Sequence, residues 1–355
     1  MKQTSTYKLI TVVLSVMLGV LLCACSNNVP NTLSGDSNAP LRLAIAPYQD
    51  VAMLVNEKVL GLEEKYGTKL DLVSMPFEDI FPAVASAGQT VDVGFAGLSE
   101  YLSKQENVNA KSDDPVLFIY PLYVFKAGAF ITFNPNVPDI NAQSIKNPEV
   151  MKKFLSFKFG AQRNSIFQMM LFLMAHRAGI KPSQLQITDT TINDGLLASE
   201  NGSLDVASAS LTQKSEALKH HGRVVLTQET LGIWDITGFI CKESIYKKRK
   251  KDIDSLIKMW FDCANYVLSD LDHHSVAGLA YLKDKASTQF TLEEYKQALT
   301  NEHFPRTVEE AEKELVSSNG KYSLAKECSI VNQYLEDIGT IKSPKPVPKI
   351  ISLDY

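Results

Sequence analysis

Residues Ala85–Tyr101 read ASAGQTVDVGFAGLSEY, and a second stretch about 113 residues further on, Ala198–Gln213, reads ASENGSLDVASASLTQ. Each copy passes from a helix end at a glycine (Gly88; Gly202) into a short strand with one acid (Asp92; Asp205). Very small residues follow, ahead of a polar helix start: Gly94, Ala96 and Gly97 in the first copy, Ala207, Ser208, Ala209 and Ser210 in the second. A strand that sheds its side chains where it meets a helix either lets that helix pack closely or leaves backbone N–H groups open to a ligand, as at the carboxyl edge of open α/β sheets. The repeated plan implies two lobes, and two such edges facing each other form a cleft.

Around the first copy, Leu41–Ala46 reads as a strand, Asp50 as the cap of a helix over Val51–Leu60, and Lys69–Ser74 as a strand. Asp79 starts a helix closed by Gly88, Val91–Phe95 is the third strand, and a helix begins near Leu98. This alternation predicts an α/β fold with a parallel sheet. The run Val116–Phe133, broken by Pro121 and Gly128, reads as two strands, and Asn134–Pro138 (NPNVP) as the crossing out of lobe one.

Around the second copy, a helix over Pro148–Leu155 and a strand over Lys158–Ala161 lead into GAQRNSIFQMMLFLMAHRAG. Asn164 or Ser165 caps a helix over Ile166–Ala178, which Gly179 ends; being apolar nearly all round, it is expected to be buried. Its start after a strand is either an ordinary capped junction or a seat for a sulfonate, carboxylate or phosphate oxygen, since a helix N-terminus offers free N–H groups and about half a positive charge. A strand Gln186–Thr188, a helix ending at Ala198 and a strand Val224–Leu226 complete the lobe, and Gly232–Ile240 returns the chain. The boundaries so read are 41–133 for lobe one, 134–237 for lobe two, and 238–355 for the return and C-terminal helices.

Lys2 and Lys8 precede the 14-residue apolar run Leu9–Leu22, which is short for a bilayer span and reads as an export signal. It ends in Leu22-Cys23-Ala24-Cys25, which resembles a bacterial lipobox; Cys25 is then the lipidated first residue, palmitate-type acylation anchoring the protein to the outer face of a membrane, while a plain secretory signal is the alternative. Ser26–Pro40 is polar and reads as a flexible tether with a reach of roughly 20 Å.

The roughly 315 residues that follow, in a chain 45% hydrophobic and 21% charged, suit two soluble lobes. A net charge of −4 offers no field for phosphate backbones, so no nucleic-acid partner is expected. The basic run Lys247–Lys251 reads as a solvated turn. Beyond Cys23 and Cys25 only Cys241, Cys263 and Cys328 remain, with spacing that matches no zinc site; they read as buried thiols with room for one disulfide. Neither His220-His221 nor His273-His274 has a clear acidic ligand partner, so no metal and no cofactor is expected.

From about Leu41 to Leu268 the chain resembles the solute-binding proteins of ABC importers in the nitrate, sulfonate and taurine group, which includes thiamine-pyrimidine-precursor binders. AIAPYQDVAMLVNEKVLGLEEKYG, ASAGQTVDVGFAGLSEYL, FGAQRNSIFQMMLFLMAHRAGI and NGSLDVASASLTQ carry it, in order and at the expected distances. The resemblance implies a type II periplasmic-binding-protein fold, two Rossmann-like lobes joined by two crossovers, that closes on a small-molecule ligand as a monomer and delivers it to a membrane permease. An enzyme making the thiamine pyrimidine and a sensory binding lipoprotein are the alternatives. The enzyme's cysteine-rich motif and a G-x-S-x-G turn are absent from the sequence, so no catalysis is expected.

The resemblance places ligand groups at Tyr48 and Gln49, at Phe77 and Glu78, and at the small-residue edge Ala96, Gly97 and Leu98. Across the cleft it places Asn164, Ser165 and Ile166, with Thr190 and Ser210 nearby and Trp234 and Asp235 at the return. Arg163 is a candidate anion partner. Where sulfonate binders have a small polar loop this chain has MPFED, and the acids Glu78, Asp79 and Asp235 beside Tyr48, Phe77 and Trp234 suit a cationic or aminated ligand; a zwitterion fits both halves. After Leu271, Thr291-x-x-Glu294 and Thr307-x-x-Glu310 read as capping boxes of helices that pack on lobe one.

Overall fold

Among the described residues ten short strands arise where β-branched, aromatic and small residues follow one another: β1 Leu41–Ile45, β2 Leu70–Ser74, β3 Val93–Gly97, β4 Val116–Phe125, β5 Ala129–Thr132, β6 Lys158–Gly160, β7 Gln186–Thr188, β8 Val206–Ala209, β9 Arg223–Thr227 and β10 Asp235–Lys242. The computed structural model describes residues 39–353 other than 87–89, 111 and 287–289, and only the backbone of residue 106. The expected signal, the anchor at Cys25, nearly all of the tether and the helix end at Gly88 lie outside the described residues.

The strands form two sheets of the same design, ordered β2-β1-β3-β10-β4 and β7-β6-β8-β5-β9. Three strands run parallel in each, β2, β1 and β3 or β7, β6 and β8. The fourth strand is antiparallel to both neighbours: β10 between β3 and β4, β5 between β8 and β9. In each lobe the antiparallel strand is the one the chain delivers on arriving from the other lobe. The chain therefore crosses at Lys126–Gly128 and again just before Asp235, and not at Asn134–Pro138. The run Val116–Phe133 is shared between lobes, because β5 finds its hydrogen-bonding partners in lobe two. Pro121 does not break β4; it faces Gly238 at a shift in register, where its missing N–H is tolerated.

Gln228 fastens the two crossovers together. Fully buried, it accepts from the Gly128 N–H through Oε1 (2.6 Å), donates through Nε2 to the Phe125 carbonyl (3.4 Å), and its own N–H donates to the Gly128 carbonyl (2.9 Å). A Cβ on Gly128 would stand 2.4 Å from Oε1, so the approach requires glycine.

The repeated acids do the same work in both lobes. The Asp92 N–H donates to the Arg42 carbonyl (2.8 Å) and its carboxylate accepts from the Arg42 N–H (2.9 Å); Asp205 and Lys158 make the same pair of bonds at 3.0 and 2.9 Å. Each acid thus closes the start of a central strand, at the end away from the small residues.

The helix Ile166–Ala178 runs between its expected limits, with Gly179 left-handed at φ 69° and Met169, Met170, Leu171 and Met174 buried. The helix expected from Asp79 instead begins at Phe77 after Pro76, and the turn after Asp50 is a 3₁₀ helix over Val51–Glu57. The basic run is not wholly solvated: Arg249 is 3% exposed and pairs with Asp252 (2.5 Å). Cys241, Cys263 and Cys328 are free and buried, and burial pushes their thiols up.

The C-terminal helices bridge the lobes rather than packing on lobe one alone. On Leu292–Asn301 the Thr291–Glu294 capping box forms, and the Glu294 carboxylate also accepts from Ser215 Oγ (2.5 Å) and meets Lys219 Nζ (3.2 Å), both on the lobe-two helix Leu211–Lys219. On Leu324–Asp337, Tyr334 lies 5.8 Å from Phe172 of lobe two. The second capping box is half made: Thr307 accepts from the Glu310 N–H, while the Glu310 carboxylate turns to the Arg306 N–H.

Candidate functional site

Between the lobes, where β3 and β10 face the starts of the helices Ile166–Ala178 and Leu211–Lys219, lies a cavity with about 90 Å³ open to water-sized molecules. Since one water needs roughly 10–15 Å³ on that measure, the space suits a ligand of only several heavy atoms.

Of the residues expected at the site, Tyr48, Gln49, Phe77, Gly97, Asn164, Ser165, Ile166, Ser210 and Asp235 line this cavity. Five do not. Ala96 and Leu98 are fully buried within lobe one, because the expected edge of open N–H groups turns its side chains into the core. Thr190 packs its methyl toward Gly160 and Gly195, Trp234 packs edge-on against Tyr322 at 5.3 Å, and Glu78 lines an adjoining groove that shares Tyr48 and Phe77 with the cavity and includes Pro47, Met75 and Lys285. Asp79 likewise lies outside the cavity lining.

The three helix starts that converge here are satisfied differently. At Leu98–Asn109 the Asp235 carboxylate accepts from Ser99 Oγ (2.5 Å), Ser99 N–H (3.2 Å) and Ile236 N–H (2.9 Å), so this terminus is already occupied by an acid. Gly97 makes room for that acid: a Cβ would stand 2.5 Å from Asp235 Oδ2. Burial outweighs those bonds and pushes the carboxyl of Asp235 up to about 6. At Leu211–Lys219 the Gln213 side chain accepts from Ser210 and closes a capping box, and Gln49 Nε2 reaches across from lobe one to Thr212 Oγ1 (2.8 Å). At Ile166–Ala178 no side chain among the described residues caps the helix. Ser165 Oγ donates to the Gln162 carbonyl (2.6 Å), and Asn164 sits left-handed at φ 57° with its N–H donating to Gln168 Oε1 (2.8 Å). Among the described residues, the first N–H groups of this helix are thereby left without a side-chain acceptor at Ser165, Ile166 and Phe167, all three on the cavity wall. Arg163, at the rim, is paired with Asp189 at 3.5 Å, its side chain mostly exposed.

The opposite wall holds acids that sequence reasoning missed as cleft residues. Asp50 accepts from Tyr123 OH (2.5 Å) and Val51 N–H (3.0 Å), and burial raises its carboxyl. Glu302, 7% exposed, accepts from the Lys126 N–H at the first crossover (2.5 Å); burial, reinforced by Asp50, pushes it up to about 8. Glu100, 8% exposed, meets Lys104 Nζ at 2.6 Å and is raised by burial. Among the described residues, one oxygen of Glu302 and one of Glu100 have no hydrogen-bond partner. The rings of Tyr48 and Phe77 lie 6.2 Å apart beside them on the same wall. Asp50 was legible as a helix cap, and Glu100 sat inside the first repeat; nothing local marked Glu302.

No family model matches the sequence, and no curated protein matches it. Solved structures share the fold. The periplasmic aliphatic sulphonate binding protein SsuA from Escherichia coli superposes with a TM-score of 0.61 at 17% identity, over 89% of this chain and 94% of that one. The alkanesulfonate-binding protein SsuA from Xanthomonas axonopodis pv. citri, bound to MOPS, gives 0.60 at 13%, over 87% and 96%. The periplasmic nitrate-binding protein NrtA from Synechocystis PCC 6803 gives 0.59 at 12%, over 85% and 82%. The chain has the α/β fold of the periplasmic binding proteins, two lobes joined by two crossovers, as the sequence resemblance implied.

Proposed function

We propose that this chain is an extracytoplasmic, lipid-anchored solute-binding protein that captures a small organic ligand between its lobes and delivers it to the permease of an ABC importer. The observation that carries this reading is the meeting, in one interlobe cavity, of an uncapped helix start in lobe two with buried acids and paired aromatic rings in lobe one. An anionic end of the ligand docks on the N–H groups at Ser165, Ile166 and Phe167, where the helix dipole favours negative charge. Gln49, Ser210 and Asn164 border it, and Tyr48 and Phe77 line the facing wall. The sulfonate- and nitrate-binding proteins of similar structure accord with such an anionic end.

No helix among the described residues is long and apolar enough to cross a membrane. On this reading membrane attachment rests on Cys25 alone, two acyl chains on a thioether giving stable anchoring at roughly 0.8 kcal/mol per buried CH₂. Replacing Cys25 with Ala is expected to move the protein into the soluble fraction with its melting temperature unchanged. Continued membrane association after a mild carbonate wash would reject the anchor.

A further inference from the structure

The lobe-one wall carries more carboxyl groups than the cations lining the cavity could neutralise. Asp50, Glu100, Asp235 and Glu302 all line the cavity, and the basic residues among its lining are Lys104, already engaged by Glu100, and Arg163, paired with Asp189 at the rim. Burying one of two interacting carboxylates is costly unless a cation or a proton compensates it. Glu302 shows that tension most clearly. It is nine-tenths buried, one of its oxygens accepts a backbone N–H, and the other has no partner among the described residues. The charged and titratable groups acting on it are the carboxyl of Asp50 and the ammonium groups of Lys126 and Lys214; the hydroxyl of Tyr123, which feels Glu302, is held by Asp50. Neither lysine forms an ion pair with Glu302, and burial lowers the pKa of Lys214 from its ordinary value.

We infer that the ligand carries a protonated amine, and that this ammonium group is received by the Glu302 and Asp50 carboxylates, opposite the helix start that receives its anionic end. The inference rests on the cleft being the ligand site as proposed above. An ammonium group brings the donors the orphan oxygen lacks, and the Tyr48 and Phe77 rings line the same cavity. In the empty cleft the carboxyl of Glu302 keeps its proton to about pH 8. Binding a cation favours the carboxylate, so Glu302 releases its proton to solvent as the ammonium arrives, and no other bond is made or broken. Amine affinity therefore rises with pH up to about 8 and then levels, because an alkylamine stays protonated to about pH 10.

Matched probes test this in the full chain: β-alanine with propionate, and taurine with ethanesulfonate, each pair differing by the amino group. Thermal shift and calorimetry are expected to show the amino member binding at least about tenfold more tightly, with proton uptake by the buffer and tighter binding at about pH 8 than at pH 6. Glu302→Gln keeps an oxygen for the Lys126 N–H, so it is expected to fold; it should lose about tenfold in amine affinity together with the pH dependence, while leaving the des-amino probes unchanged. Asp50→Asn, which still accepts from Tyr123, is expected to act in the same direction. Equal or tighter binding of the des-amino members would overturn the amine assignment and leave the cleft as the ligand site. Binding of no member of either pair would overturn both. Amine preference that survives in both variants, with melts intact, would overturn the roles of Glu302 and Asp50.

Discussion

Gly97 lacks a side chain because Asp235 occupies the space a Cβ would need, at 2.5 Å. Small residues in the first repeat thus serve two ends. Gly94 lets the helix Phe77–Ala85 close on β3, a Cβ there meeting Ile80 at 2.4 Å, whereas Gly97 admits an acid to the cleft. Gly97→Ala is expected to displace the Asp235 carboxylate from Ser99 and to destabilise the protein by about 1–3 kcal/mol, the usual range for overpacking, as measured by chemical denaturation. Wild-type stability in this variant would show that the carboxylate is not held there. The glycine was legible as a close approach, but its partner was not, since Asp235 arrives from 138 residues later in the chain by way of the other lobe. Asp50 shows the same limit: its bond to the Val51 N–H is local and readable, and its bond to Tyr123 is not.

Among the helices, Ile166–Ala178 was the most legible, because Ser165, Gly179 and an apolar circumference are all local signals. What the sequence could not tell is that Ser165 spends its hydroxyl on Gln162 and leaves the terminus uncapped. Testing that terminus by proline at position 165 is precluded: the preceding Asn164 is left-handed at φ 57°, a conformation the residue before proline avoids. Position 166 is suitable, since Ser165 is extended and proline is favoured at a first helical position. Ile166→Pro removes an N–H from the cavity wall, whereas Ile166→Ala removes the side chain alone. Proline is expected to bind an anionic probe such as ethanesulfonate about tenfold more weakly than alanine does, the order expected for a lost hydrogen bond to charge. Equal affinities in calorimetric titration would remove the backbone from recognition. Strand placement was less legible than helices. The run Val116–Phe133 shows two strands, yet assigning β5 to lobe two depends on partners at Val206–Ala209 and Arg223–Thr227 that local sequence does not reveal.

At the scale of the whole molecule, burial of acids sets the response to pH. Besides Asp235 at about 6 and Glu302 at about 8, burial raises Glu57 to about 7 and Glu327 to about 9. A carboxyl raised on folding binds more protons in the native than in the unfolded chain between its two pKa values, so its stabilising effect is present below about pH 4 and lost as pH rises through the folded value. Glu294, lowered to about 2, acts oppositely, but its effect is complete above the ordinary carboxylate range. Melting temperature is therefore expected to fall steadily between about pH 5 and pH 9; a rise across that window would contradict the protonated state of these acids.

The two crossovers, fastened by Gln228, leave the lobes linked by short segments, while Gln49–Thr212 and Ser215–Glu294 join them across the cleft and through the C-terminal helices. Such an arrangement permits rotation of one lobe on the other when those side-chain bonds part. Small-angle scattering of the protein, stripped of small molecules by unfolding and refolding, tests ligand capture most directly when recorded before and after the low-molecular-mass fraction of a cell extract is returned. The radius of gyration is expected to fall on its return, with one compound retained per chain; an unchanged radius, with no compound retained, would contradict capture between the lobes.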